Sequence, residues 1–327
     1  MDVSIIIAHR DVNSYGCECG LSVKNNASAQ PLGLWATIHS IEMDLMESGL
    51  KYEFCIQTNG DTKLHVDTMT IIEHLRISGK LGFHGHSKEN MSPPNARQAA
   101  ADHAKGTYLF FFDNHIMVKP GYFKQAIQSM IDYKMDMLHS TTIFFLDEQP
   151  VYHYNMKLDR NFWAEGSHTS RNETIPYRIA AAGHGGFVIK ASTFKEVGGY
   201  WSGFVGYGGE EIYFDLKMAM LDKTNWIDPK LIHYHYAGNR GYPRHFTDEF
   251  YINMMAVANI IGGEKWLNIV YNSFHKRYSK LLTGKTMFDL MDEAQEKSQK
   301  HANDLITLRH RDLESQLKYF VDNNIPH

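Results

Sequence analysis

The segment around residue 113 combines two side chains that can bind a metal ion. Asp113 and His115 stand one residue apart at the end of an apolar run that starts at Tyr108. In extended backbone, alternate side chains point to the same side, so the carboxylate and the imidazole can reach one ion. This pair suits Mn²⁺ better than Mg²⁺, because imidazole is softer than the oxygens that Mg²⁺ prefers. The same residues also fit a strand end capped by polar side chains, so both interpretations stay open at this point.

A second pair with the same spacing lies much later in the chain. His233 and His235 stand one residue apart in a strand-like run, and either can supply a third ligand. The chain has 19 histidines, so both can equally be ordinary polar positions.

The glycine-rich segment at 206–211, GYGGEE, is a third candidate. Its glycines allow the backbone to approach a ligand closely, and Glu210 and Glu211 open a helix, where exposed amides and the helix dipole favour carboxylates. Helix capping alone accounts for one glutamate but less well for the glycines. The aromatic residues nearby predict a wall for a flat or sugar-like ligand. They are Tyr200, Trp201, Phe204 and Tyr207.

Alternating strands and helices must position these groups. The patterns predict a first strand, a helix ending near Gly49 and a second strand, and then, after a polar loop, a helix that leads into the strand before Asp113. This alternation predicts a mostly parallel α/β sheet, whose ligands bind at the carboxyl ends of the strands. The predicted strands are 3–10, 52–61, 107–113 and 136–148. The predicted helices are 31–50, 95–106 and 121–134, one from about 210 and others beyond 247, and a loop-rich insertion is expected at 154–176.

Composition limits the class of protein. With 327 residues, 43% of them apolar, the chain can bury a large core without disulfides. Its acidic second residue and short apolar N-terminal run do not match a signal peptide, and no apolar run has the length of a membrane span. We therefore predict a cytoplasmic protein with no membrane partner. A net charge of -4 argues against a uniformly basic nucleic-acid binder but allows a local basic patch.

The motifs together, over roughly residues 3–245, resemble the GT-A glycosyltransferases of family 2 and of the polypeptide GalNAc-transferase type. FFFDNH is similar to the Asp-x-His metal strand, GGF at 185–187 to the glycine pair, and GYGGEE to the Gly-Gly-Glu block, with a histidine about two dozen residues later. The resemblance implies an α/β GT-A fold, Rossmann-like with a mostly parallel central sheet, and a C-terminal helical extension. It divides the chain into a catalytic domain, 1–246, with a nucleotide-sugar half at 1–120 and an acceptor half at 121–246, and an extension, 247–327.

The resemblance also implies the roles of residues in donor binding. Asp113, His115 and His235, with His233 as the competing ligand, would bind Mn²⁺ (or Mg²⁺) at the diphosphate of a nucleotide sugar, with UDP as the expected nucleotide. Arg10 and Arg97 can instead be surface or structural ion-pair residues. The residues expected to contact the donor are Ala8, Arg10, Asp61, Arg97, Asp113 and Gly186.

Glu211 is where this chain departs from the family pattern. Inverting members carry aspartate there and retaining GalNAc-transferases carry asparagine, so a glutamate favours an inverting reaction in which Glu211 is the general base. Glu210 is expected to hydrogen-bond hydroxyls of the acceptor or of the donor sugar.

The acceptor is the least defined partner. Basic residues among aromatics predict a patch that could hold the phosphate backbone of double-stranded DNA. The leading single acceptor is then 5-hydroxymethylcytosine DNA, as for a phage enzyme acting in the host cytoplasm. A solvated helix face explains the charges as well, and a saccharide or protein acceptor, a non-catalytic GT-A-shaped binding module and a nucleotidyltransferase are the alternatives. The basic residues are Arg240, Arg244, Lys276, Arg277 and Lys280, with Lys285 nearby.

Overall fold

The structure is a computed structural model. It describes residues 1–11, 33–60, 64, 66–89, 91–144, 151–153, 155–158, 164–167, 174–235, 247–277 and 284–310, of which 10, 11, 144, 151–153, 155–158, 164–167 and 277 are described by backbone alone. Among these residues, no helix combines the length and the apolarity needed to cross a bilayer.

Twelve strands form a large sheet and a separate hairpin in the described part of the chain. The hairpin, β8 with β9, lies where the sequence predicted a loop-rich insertion. The strands are β1 (Val3–Asp11), β2 (Tyr52–Gly60), β3 (Leu81–Ser87), β4 (Tyr108–Phe112), β5 (Ile116–Val118), β6 (Met137–Phe144), β7 (Val151–His153), β8 (Asn155–Leu158), β9 (Ala164–Ser167), β10 (Tyr177–Arg178), β11 (Gly186–Lys190) and β12 (Asn225–His235).

The main sheet has the order β10-β12-β6-β11-β4-β1-β2-β3, with β5 on β12 and β7 on β6. The strands β3, β2, β1 and β4 are parallel, as predicted. Beyond them the sheet is mixed, because β11 runs antiparallel between β4 and β6. The α/β fold class is confirmed, and the parallel half carries Asp113 at the carboxyl end of β4.

Helices cover both faces of the sheet. Alternate residues of β4 divide between the two cores: Phe110 and Phe112 pack on one face with α1, α2 and α4, whereas Phe111 packs on the other with the remaining helices. The helices are α1 (Leu34–Ser48), α2 (Val66–Ile77), α3 (Pro93–Ala101), α4 (Tyr122–Asp132), α5 (Ala191–Glu196), α6 (Glu210–Met220), α7 (Asp248–Gly262), α8 (Glu264–Arg277) and α9 (Met287–Leu308).

Buried polar residues of α1 fix the segment that follows the metal-strand motif. The Thr37 hydroxyl donates to the Ile116 carbonyl (2.9 Å) and accepts from the Ile116 amide (3.0 Å). The Asp44 carboxylate accepts from the amides of Gly121 and Phe123, at the first turn of α4, where a negative charge is favoured by the helix dipole. Helix α1 therefore holds the start of β5 and the start of α4.

Candidate functional site

Three side chains from two parts of the sheet converge at the end of β4. Asp113 and His115 follow that strand, and His235 reaches them because β12 pairs with β5 in a register that sets His235 opposite Ile116. The Nε2 atoms of His115 and His235 are 3.1 Å apart, and the Asp113 Oδ2 atom lies 3.1 Å from His235 Nε2 and 3.8 Å from His115 Nε2. These three groups form one potential metal site.

The distances fit the coordination of a divalent ion. Neighbouring ligands of an octahedral ion with bonds of about 2.1 Å lie about 3 Å apart. The two closest ligand pairs match this spacing at 3.1 Å. One carboxylate oxygen and two imidazole nitrogens form a donor set that favours Mn²⁺ over Mg²⁺.

A chain of hydrogen bonds orients His115. Its Nδ1 lies 2.7 Å from the Asn114 Oδ1, while the Asn114 Nδ2 lies 2.6 Å from His9 Nδ1. His9 Nε2 in turn contacts the Thr68 hydroxyl at 3.3 Å. This network places the His115 proton on Nδ1 and leaves the Nε2 lone pair directed at Asp113 and His235, as metal ligation requires. Sequence reasoning missed Asn114 and His9, although the Asn between the two ligands was the available signal.

Arg97 orients the Asp113 carboxylate. Its guanidinium donates to Asp113 Oδ1 (2.6 Å) and to the His184 carbonyl (3.1 Å). Burial alone would raise the pKa of Asp113, but the hydrogen bond from His235 and the charge of Arg97 hold it well below its usual value. Asp113 is therefore an anion, and it forms an ion pair with Arg97. The contact of Arg97 with the nucleotide stays a prediction.

The nitrogens of His233, the competing ligand, are occupied elsewhere. Its Nδ1 lies 2.7 Å from the Ser140 hydroxyl and its Nε2 lies 3.1 Å from the Thr142 hydroxyl. A Cβ on Gly186 would lie 2.9 Å from His233 Nδ1, so this glycine allows β11 to approach the ring. His233 and Gly186 thus pack against each other, and neither belongs to the cluster of Asp113, His115 and His235.

Glu210 and Glu211 begin α6, as predicted. Glu210 is 3% exposed and accepts from the Gly208 amide (3.1 Å), and burial raises its pKa. The Glu211 Oε1 atom accepts from the His184 amide (3.0 Å). Burial, and then the charge of Glu210, raise the pKa of Glu211 to about 8, with a smaller contribution from Asp113. A carboxyl group with this raised pKa can exchange a proton near neutral pH.

The glycines and aromatics around the glutamates have structural roles that differ from the predicted ligand wall. A Cβ on Gly208, whose φ is +115°, would lie 2.5 Å from the Phe250 ring on α7, so this glycine serves close helix packing. The prediction of an aromatic wall is wrong for three residues, because Tyr200, Trp201 and Phe204 are buried in the core.

The other predicted donor and DNA contacts are only partly described. Ala8 is half-buried in β1, one residue before His9, and Lys276 is exposed on α8. Lys285 pairs with Glu293 at 2.8 Å. Arg10 and Arg277 are described by backbone alone, and Asp61, Arg240, Arg244 and Lys280 lie outside the described residues.

The fold places the chain in the GT-A class. The structure of GalNAc-T7 with UDP, GalNAc and Mn²⁺ superposes with a TM-score of 0.70 at 16% identity, covering 99% of this chain and 57% of that chain. S. aureus TarS 1-349 gives a TM-score of 0.56 at 15% identity, covering 93% and 83%. The same TarS fragment in complex with UDP-GlcNAc gives 0.55 at 14% identity, covering 93% and 84%. At these identities the likeness shows the fold, and the chain spans little more than half of GalNAc-T7.

Sequence comparison supplies the family. Residues 32–198, just over half of the chain, match the model of glycosyl transferase family 2. The chain belongs to glycosyl transferase family 2, a family of glycosyltransferases. None of the curated proteins compared with the sequence matches it.

Proposed function

We propose that the protein transfers a sugar from a UDP-linked nucleotide sugar to an acceptor hydroxyl. The observation that carries this proposal is the convergence of Asp113, His115 and His235 after β4, with Glu211 connected to Asp113 through the His184 backbone and Arg97. UDP is supported by the presence of UDP in the GalNAc-T7 structure and of UDP-GlcNAc in a TarS structure.

Mn²⁺, or less favourably Mg²⁺, is the proposed cofactor. Bound by Asp113, His115 and His235, it would supply positive charge to the diphosphate as the sugar leaves. The chain's own contribution is to hold this site in place: Arg97 fixes Asp113, and Asn114 fixes His115. Ala8, Arg10, Asp61, Arg97 and Gly186 remain predicted donor contacts.

Glu211 is the proposed general base. Its ionised form, which gains population as the pH approaches the raised pKa, would take the proton of the acceptor hydroxyl while that oxygen forms a bond to the anomeric carbon and the bond to the diphosphate breaks, which inverts the anomeric configuration. The hydrogen bond from the His184 amide directs one carboxylate oxygen and leaves the other for the acceptor. Glu210 is buried and accepts a hydrogen bond from the Gly208 amide. We therefore assign it to stabilising the start of α6 and to contacts with sugar hydroxyls.

The finer proposal for the acceptor is 5-hydroxymethylcytosine in double-stranded DNA. It is supported by the sequence 273–285, which has four basic residues and no acidic one, and by the exposure of Lys276. Phosphate contacts of this kind bind DNA without regard to sequence, so specificity would come from the extruded base.

The test is release of nucleoside diphosphate from UDP- and GDP-sugars with Mn²⁺, in the presence of plain DNA, hydroxymethylated DNA, glycans or protein. Asp113→Ala should abolish release. Glu211→Gln should lower kcat roughly 10²- to 10⁴-fold with little change in the KM for the donor, because a general base acts in the chemical step.

The outcomes separate the parts of the proposal. Stimulation by hydroxymethylated DNA alone supports the DNA acceptor, whereas stimulation by a glycan or a protein replaces it. Release of pyrophosphate would indicate a nucleotidyltransferase. An Asp113→Ala protein with full activity would contradict the metal site, and a Glu211→Gln protein with full kcat would contradict the base.

A further inference from the structure

A second cluster of potential metal ligands lies behind the candidate active site. It consists of His139 on β6, His184 in the segment before β11 and Asp215 on α6, whose side chains are all 0% exposed. One ligand atom from each lies within 4.8 Å of the others. The cluster shares no residue with Asp113, His115 and His235, and its side chains have no role in the mechanism above.

The spacing of the ligand atoms matches a tetrahedral ion. Asp215 Oδ1 lies 3.0 Å from His184 Nε2 and 3.5 Å from His139 Nε2. With metal–ligand bonds of about 2.0–2.1 Å, two ligands of tetrahedral Zn²⁺ stand about 3.3 Å apart. The two imidazole centroids, 5.6 Å apart with planes inclined by 27°, allow both Nε2 atoms to face one point near the carboxylate.

Within the described part of the chain, the ring of His139 makes no hydrogen bond that would explain its burial. Neither of its nitrogens has a hydrogen-bond partner among the described residues. A buried polar atom without a partner is unfavourable, because it has lost its hydrogen bonds to water. Its surroundings are apolar, with the Phe187 ring 5.6 Å away. Nε2 is directed at Asp215 but is too distant for a good hydrogen bond.

The other two proposed ligands are oriented by hydrogen bonds on the side away from the cluster, as metal ligands in proteins usually are. His184 Nδ1 lies 3.0 Å from the Tyr200 hydroxyl, which leaves its Nε2 for the cluster. Asp215 Oδ2 accepts from the Ala182 amide at 2.8 Å, which leaves Oδ1 for the cluster. These contacts set the orientation of both groups before any ion arrives.

We propose that His139, His184 and Asp215 form a second, buried metal site that takes Zn²⁺ in a structural role. The donor set of two imidazoles and one carboxylate is a common one for zinc. The ion would join β6, the segment before β11 and α6. Because the His184 amide and carbonyl contact Glu211 and Arg97, the site would also fix the backbone beneath the candidate active site.

The test measures metal in the full-length chain without an affinity tag. The Asp113→Asn protein, which lacks a ligand of the first site, is grown with zinc, dialysed against EDTA and analysed by plasma mass spectrometry. We expect one equivalent of zinc to remain, and growth with cobalt to give the visible bands of tetrahedral Co²⁺. Asp113→Asn combined with Asp215→Asn should lose both signals.

The matched control is Asp228→Asn in the same background. Asp228 is another buried carboxylate, bonded to Gln125 and Ser129, and its loss should leave the zinc in place. If the Asp215→Asn protein does not fold, refolding of the Asp113→Asn protein with and without zinc decides the question, since a structural ion should raise its Tm. The proposal is overturned if the Asp113→Asn protein holds no zinc and refolds to the same Tm without it, because the cluster is then a hydrogen-bonded group only.

Discussion

Asn114 links the metal cluster to the rest of the molecule at the level of single atoms. It accepts from His115 and donates toward His9, so it sets both the tautomer and the angle of the His115 ring. Outer-shell partners of this kind typically change metal affinity 10- to 100-fold when they are removed. The residue between two ligands is thus part of the site.

We expect Asn114→Ala to weaken Mn²⁺ binding roughly 10- to 100-fold, because His115 loses its acceptor. Asn114→Asp keeps an acceptor at this position and should lose less. The measurement is a titration followed by the electron paramagnetic resonance signal of free Mn²⁺, which does not depend on activity. Equal affinities for wild type and Asn114→Ala would show that His115 is oriented by other contacts or is not a ligand.

The ligand types could be predicted from the sequence, but their partners could not. Strand alternation places His233 and His235 on the same side, so spacing alone cannot choose between them. The choice comes from the register of β12 on β5, which sets His235 opposite Ile116 and leaves His233 with two hydroxyls. Register depends on which strands pair, and a local sequence pattern does not contain that information.

At the scale of elements, the predicted strands and helices that carry the site are present, and α2 and β3 are among the elements that the sequence patterns did not predict. Strand β3 is the last strand of the sheet, every residue in it is partly exposed, and its sequence LGFHGHS contains two glycines. Helix α2 exposes apolar residues such as Val66 and Ile77, which weakens its periodic pattern. Edge elements bury less surface, so their sequences show less of the pattern on which prediction depends.

Helix α1 should control the position of the segment after His115 through Thr37. We expect Thr37→Val, which keeps the shape of the side chain, to lower the free energy of unfolding by about 1–3 kcal/mol, because the amide and carbonyl of Ile116 lose their partner. Urea denaturation measures the change. Thr70→Val on the exposed side of α2 is the control and should alter stability by about 0.5 kcal/mol or less. A Thr37→Val protein as stable as this control would mean that water or backbone replaces the hydroxyl.

At the scale of the whole molecule, the C-terminal helices share a core with the sheet. Residues of α7, α8 and α9 belong to the same apolar cluster as Phe187 and the α6 residues that follow Glu211. The sequence predicted these helices but not their contact with α6, because a helical pattern shows which residues are buried and not what covers them. The boundary at 246 and 247 stays a prediction.

Partly buried histidines that are neutral in the folded protein should make it sensitive to acid. Burial lowers the pKa of His84 on β3 and of His301 on α9 to about 4, while an unfolded histidine titrates near 6.5. Below about pH 6.5 the unfolded chain therefore binds more protons than the folded chain, so stability falls as the pH falls from about 6.5 to 4. Because these groups are partly exposed, each contributes less than the roughly 1.4 kcal/mol per pKa unit that linkage gives for a fully shielded group.

His301→Gln tests this expectation while keeping a polar partner for the Tyr213 hydroxyl, which lies 2.7 Å from His301 Nε2. Urea denaturation at several pH values should show a shallower loss of stability for this variant between about pH 6.5 and 4 than for wild type. The exposed His39 is the matched control, and His39→Gln should leave the slope unchanged. If His301→Gln keeps the wild-type slope, His301 is protonated in the folded state, and the contact of α9 with Tyr213 tolerates that charge.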